Sequence, residues 1–131
     1  MERKRIAIVG TRSRNTGAAF KLIEKKFWEI YEEGDWIVSG GCSKGGDRCA
    51  EAIAKREGIP ILLIYPCYKR YKMGAPVVRN GPVADNSTDV IACVRRPEEG
   101  LDEVLNRTKG GTEDMLKKFV KAHQKGKVYL V

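Results

Sequence analysis

At 131 residues, 42% apolar and 32% charged, the chain has the size and balance of one globular domain, long enough to bury a core without disulfide staples or a structural metal. No apolar run approaches the ~20 residues that cross a bilayer, so no membrane partner is expected. The net charge of +8 points toward polyanions, yet the basic residues fall in short groups, Arg3-Lys4-Arg5, Lys25-Lys26, Lys69-Arg70-Tyr71-Lys72 and Lys117-Lys118, rather than in one tract.

The first apolar run, Ile6 to Val9, is too short for an export signal and lacks its small-residue cleavage site. It reads as a first strand, Arg5 to Val9, closed by Gly10, in a cytoplasmic protein. The loop T-R-S-R-N-T-G leads into a helix over Ala18 to Glu33, where Phe20, Ile23, Phe27, Ile30 and Tyr31 recur at three- and four-residue spacing and Gly34 supplies the C-cap. Trp36 to Ser39 is a second strand. After it comes V-S-G-G-C-S-K-G-G-D, Val38 to Asp47, in which four glycines let backbone approach a ligand or a neighbouring turn. Lys44 falls inside this loop, so the ending G-K-[ST] of a P-loop is missing.

A second helix runs from Asp47 to Glu57, with Cys49, Ala50, Ile53 and Ala54 on one face, and stops at Gly58. Ile59 to Ile64 is a nearly unbroken apolar run, as expected of a parallel strand covered on both faces. Tyr65 to Gly74 reads as an aromatic, basic loop over a site. Ala75 to Asp85 reads as a short helix that starts with Pro76 and is interrupted by Gly81-Pro82. Asp89 to Val94 is a fourth strand, and Arg95 to Lys109 a charged connector with one turn around Leu101 to Leu105. A last helix opens at Thr112 as N-cap and reaches about Lys125, before a strand over Lys127 to Val131.

Cys42, Cys49, Cys67 and Cys93 contain no C-x-x-C pair, and His123 is the single histidine, which is poor spacing for a metal site. Reduced, partly buried thiols are expected, with no metal and no cofactor.

Apolar strands alternating with helices predict an α/β fold: a Rossmann-like open, mainly parallel sheet of about five strands, order 3-2-1-4-5, with helices on both faces. In such sheets a ligand sits beyond the carboxyl ends of the strands, where the winding reverses. The loops Gly10 to Gly17, Gly40 to Asp47 and Gly110 to Glu113 meet at that edge. They bring Gly10, Thr11, Arg12, Ser39, Gly40, Gly41, Gly45, Gly46, Gly110, Gly111 and Thr112 to one rim, with Arg79 and Asn80 overhanging it. Helix-start amides and an arginine fork suit phosphate, asparagine suits a base or a ribose hydroxyl, and bare glycines would let a ligand lie flat on backbone. Each residue also has an ordinary reading: ion pairs for Arg12 and Arg79, a turn for Asn80, a cap for Thr112. Asp47 is either cap or catalyst.

The order G-T-R at Gly10 to Arg12, S-G-G at Ser39 to Gly41, G-G-D at Gly45 to Asp47, R-N at Arg79-Asn80 and G-G-T at Gly110 to Thr112 resembles the SLOG superfamily of Rossmann-like nucleotide-binding proteins, over nearly the whole chain. The segment Gly74 to Asn80, G-A-P-V-V-R-N, is most similar to its small stand-alone branch related to YpsA. The superfamily also includes the LOG phosphoribohydrolases and DNA-processing protein A. The resemblance implies that Gly10, Arg12, Ser39, Gly40, Gly41 and Thr112 line a nucleotide or nucleotide-derived ligand, and that copies of the chain pair through helix faces into a homo-oligomer. LOG enzymes carry P-G-G-x-G-T-x-x-E, whereas this chain has K-G-G-T-E-D-M: Lys109 stands for the proline, the x-G step is missing, and Met115 takes the acid's place.

Three functions follow as expectations. One is binding or sensing of a nucleotide without catalysis. Another is nucleoside monophosphate N-glycosidase chemistry, with Arg79 orienting the substrate and Asp47, Glu113 or Asp114 supplying the carboxylate an oxocarbenium-like transition state needs. The third is single-stranded DNA binding through Tyr65, Tyr68, Tyr71 and the basic residues among them.

Overall fold

A computed structural model describes residues 3–42, 45–123 and 127–131. Five strands, β1 (Arg5–Gly10), β2 (Trp36–Ser39), β3 (Ile61–Leu63), β4 (Asp89–Cys93) and β5 (Val128–Leu130), form one sheet in the order β3-β2-β1-β4-β5, every pairing parallel. This is the α/β architecture and the strand order expected from the sequence. Side chains on adjacent strand positions point to opposite faces, and the core divides accordingly. Ile6, Ile8, Ile37, Ile91 and Cys93 join one cluster with α1 (Gly17–Ile30) and α2 (Gly46–Glu57). Ala7, Val9, Val38, Val90 and Ala92 join the other with α4 (Ala75–Asp85), α5 (Leu101–Leu105) and α6 (Gly111–Ala122). The pair of clusters makes a three-layer sandwich. At the edge, β3 is only half-buried, so its apolar run is not covered as fully as the sequence suggested.

α1 begins at a Thr16 cap, whose hydroxyl accepts the Ala19 N–H at 3.2 Å, and buries Ala19, Ile23 and Phe27. It ends at Ile30, short of the expected Glu33. Asp35 gives the reason. Its carboxylate accepts the Glu32 N–H at 2.9 Å and the Lys4 N–H at 2.8 Å, drawing the chain out of the helix toward β1, while Gly34, at φ +94°, turns the loop instead of capping the helix. Burial alone would raise the Asp35 carboxyl, but the two amides and the Lys4 ammonium at 3.1 Å outweigh it and hold the group below its usual 3.8. The stability this contributes is present above the unfolded pKa and is lost as the pH falls through the folded one. Asp35→Ala is expected to cost about 2 kcal/mol at pH 7, since it strands two amides. Urea unfolding at pH 7 and pH 3 checks this, with the gap between wild type and variant closing in acid.

The expected loop from Tyr65 contains a short helix, α3 (Tyr68–Tyr71), and a 3₁₀ turn, Lys72–Gly74. α4 is continuous through Pro82 rather than interrupted. The proline removes one donor near the end, and the Asn86 N–H and side-chain amide both bond the Pro82 carbonyl, at 3.0 and 2.8 Å, closing the last turn. Val83 and Ala84 are buried in the cluster shared with α6, which holds the helix in place. α2 ends as expected at Gly58, left-handed at φ +67°. α6 ends at Ala122, short of the expected Lys125, because His123 is already extended; the position of Lys44 falls outside the described residues. No helix among the described residues is long and apolar enough to cross a membrane.

Candidate functional site

β1 is flanked by β2 on one side and β4 on the other, so the winding reverses at its carboxyl end, where open α/β sheets hold ligands. A cavity of about 330 Å³ lies there, within the ~300–1,000 Å³ usual for small-molecule sites. The β1 loop contributes Gly10, Thr11 and Arg12, and the β2 loop Gly40, Cys42 and Asp47. α4 contributes Pro76, Arg79, Asn80 and Val83, the end of β4 gives Arg95, and the start of α6 gives Gly110 to Glu113 and Met115. Most of the rim expected from the sequence is therefore assembled in one place. Ser39, Gly41, Gly45 and Gly46 do not line this cavity.

Gly45 and Gly46 serve packing. A Cβ on Gly46 would lie 2.5 Å from Gly10 N and 2.7 Å from Val9 O, and one on Gly45, which has φ +70°, would lie 3.0 Å from Thr11 O. Bare backbone here lets the start of α2 press against the end of β1. The Gly45 N–H is already engaged with Asn15 Oδ1 at 3.1 Å. Ser39 is fully buried, its hydroxyl accepting the Gly41 N–H at 3.2 Å.

Gly40 and Gly41 depart from expectation. The space over them is filled by the chain's own side chains instead of being open for a ligand. The Arg79 guanidinium lies on Gly40 and donates to its carbonyl; a Cβ on Gly40 would lie 2.5 Å from Arg79 Cζ. The Tyr65 ring lies on Gly41, whose φ of +73° already disfavours any side chain.

Asp47 holds the loop together. Oδ1 accepts the Gly40 N–H at 3.4 Å, Oδ2 accepts the Cys42 N–H at 3.1 Å, and Arg79 Nη1 stands 3.9 Å away. Burial pushes its carboxyl above the usual range, against the opposing pull of the Cys42 amide, Arg79, the Gly40 amide and the Ser39 hydroxyl. Its oxygens are occupied by the loop, so it acts as a brace rather than as an acid free to reach a substrate.

At the far wall Gly110, at φ +120°, is the N-cap of α6, so Thr112 is the second helical residue and not the cap expected. The positive φ turns the chain sharply into the helix, a conformation threonine resists. The N–H groups of Gly111, Thr112 and Glu113 have no intrahelical partner and carry the positive end of the helix dipole. Asn80 ties α4 to this start, donating to the Gly111 carbonyl at 3.1 Å and to Asp114 Oδ2 at 2.9 Å. Asp114 is further engaged by Lys118 at 2.9 Å and does not itself line the cavity.

Glu113 is different. It is 5% exposed, lines the cavity, and its carboxylate covers Gly110, where a Cβ would lie 2.8 Å from Cδ. Among the described residues it makes no hydrogen bond. Its one charged neighbour, Arg107 Nη1 at 3.9 Å, comes from the α5–α6 connector, where Arg107 is also held by Glu99 at 2.8 Å. Three arginines, Arg12, Arg79 and Arg95, thus line the cavity with two acidic residues, one of them braced and one without a hydrogen bond among the described residues. Comparison of the chain with protein-family models, curated proteins and solved structures returns no match. The site is read from its own chemistry.

Val9, Arg95, Cys42, Pro76, Val83 and Met115 line the cavity although the sequence suggested no ligand-binding role for them. For Arg95 a signal existed: it lies just past the carboxyl end of β4, at the switch point. A second hollow of about 440 Å³ adjoins the first, with Arg12, Cys42, Pro76 and Arg79 common to both.

Proposed function

We propose that the protein binds a nucleotide or nucleotide-derived ligand in the cavity at the carboxyl edge of its sheet. The observation that carries this is the juxtaposition of helix-start amides at Gly111 to Glu113, unpartnered among the described residues, with Arg12, Arg79 and Arg95 around one half-open cavity. Amides at a helix start and forked guanidinium donors are the standard means of holding phosphate. The motif resemblance to the SLOG superfamily supports the same reading independently of the geometry. Thermal unfolding in the presence of a nucleotide panel tests it, together with mass spectrometry of any small molecule released on denaturing the purified protein. A ligand at about 100 times its Kd should add ~2.7 kcal/mol of stability. No shift with any nucleotide, and no copurifying molecule, would overturn the reading.

N-glycosidase chemistry is the second reading, and Glu113 is the observation that favours it. A buried carboxylate without a hydrogen bond, beside an arginine-lined space, is the equipment for stabilising a sugar oxocarbenium or activating water. Release of free base from nucleoside monophosphates, abolished in Glu113→Gln while nucleotide binding persists, is the expected result if the site hydrolyses. Binding without base release leaves the first reading alone.

A further inference from the structure

The adjoining hollow has a composition the cavity lacks. Its walls are Tyr65, Tyr68, Pro66 and Pro76, with Gly41 beneath the Tyr65 ring and Arg12 and Arg79 at the seam with the cavity, and no carboxylate among them. Tyr65, just past β3, and Tyr68, the first residue of α3, are 59% and 55% exposed. Such a surface is flat, apolar and electron-rich, suited to the face of an aromatic ring whose edges remain in water. An acyl chain would find half-open walls and leave much of its surface wet.

We infer that this hollow is the base subsite, so that the ligand is a nucleotide whose aromatic base stacks on Tyr65 and Tyr68 while its phosphate lies in the cavity at the start of α6. The inference rests on the nucleotide reading and adds where the base lies and what holds it. Arg79 stands between the two compartments, fixed by its bond to the Gly40 carbonyl and facing Asp47, so a ligand filling both crosses over its guanidinium. This places the sugar at the seam. Tyr65 is set in advance by its packing on Gly41, where no side chain can intervene, so little freedom is lost when a base arrives.

The test compares three probes on the full chain by calorimetry: the common ribonucleoside 5′-monophosphates, ribose 5-phosphate, and a short oligothymidylate. The expected result is that at least one monophosphate binds more tightly than ribose 5-phosphate. Tyr65→Ala should then weaken that monophosphate about 5- to 150-fold, the usual range for loss of one base–aromatic stack, and leave ribose 5-phosphate unchanged. Tyr65→Phe should retain the affinity. Tyr68→Ala, on the same wall, repeats the measurement if circular dichroism shows that Tyr65→Ala is unfolded. If monophosphates and ribose 5-phosphate bind equally and neither tyrosine matters, the base subsite is overturned while the anion-binding reading survives. If neither probe binds, both fall. If oligothymidylate binds through the tyrosines and no monophosphate does, the hollow serves a nucleic acid and the inference is overturned.

Discussion

Gly46→Ala is expected to lower the melting temperature by roughly 10 °C and to cost about 3 kcal/mol, the upper end for overpacking. The added methyl would meet the Val9 carbonyl carbon, Gly10 N at 2.5 Å and Val9 O at 2.7 Å. All three are backbone atoms of a central strand, so no rotamer change relieves the clash. The start of α2 must lift away from β1, and with it Cys49, Ala50 and Ile53, which are buried in the cluster against Ile8 and Ile37. Gly81→Ala provides the contrast. Nothing lies within 4 Å of its Cβ position, and it sits inside α4, so the substitution should stabilise by ~0.5–1 kcal/mol. Denaturant midpoints measure both, and equal midpoints for the two variants would show that α2 and β1 do not pack as described.

Asp47→Ala is expected to cost about 2–4 kcal/mol at neutral pH, because it leaves the Gly40 and Cys42 amides unpaired in a buried loop and removes the charge facing Arg79. Its pH dependence runs opposite to that of Asp35. Burial raises the folded pKa of Asp47, so its contribution is fully present below the unfolded value near 3.8 and diminishes as the pH rises through the folded one. The gap between wild type and variant should therefore narrow from acid toward neutrality. Urea titrations at several pH values give that gap directly, and a gap that widens with pH would mean the carboxylate is better solvated or better paired than the geometry allows.

Periodicity was enough for the sheet order, because buried parallel strands are apolar throughout and their helices carry stripes such as Ile23 and Phe27. The glycine-bearing loops were legible for a similar reason, since bare backbone is needed wherever chains approach closely. What the sequence could not show was which atoms take the vacated space. Gly40 and Gly41 resemble a ligand floor, yet Arg79 and Tyr65, far along the chain, lie on them. Long-range packing of that kind leaves no local signal. Local competition explains the smaller departures: Asp35 outbids the last turn of α1 for the Glu32 amide, and Gly110 takes the cap that Thr112 would have held. Glu113 and Asp114 are neighbours in sequence, but helical rotation of about 100° sends one into the cavity and the other to Asn80 and Lys118.

The four thiols divide by position in a way that equips the molecule with its own reporters. Cys49 and Cys93 are sealed in the core, and burial pushes the Cys49 thiol up to about 12, so alkylating reagents reach them only when the molecule opens. Cys42 lies where the cavity and the hollow join, and Cys67 is exposed beside the tyrosines. Labelling of the first pair therefore clocks global opening, and labelling of Cys42 reports how accessible the cleft is, with no probe engineered into the chain.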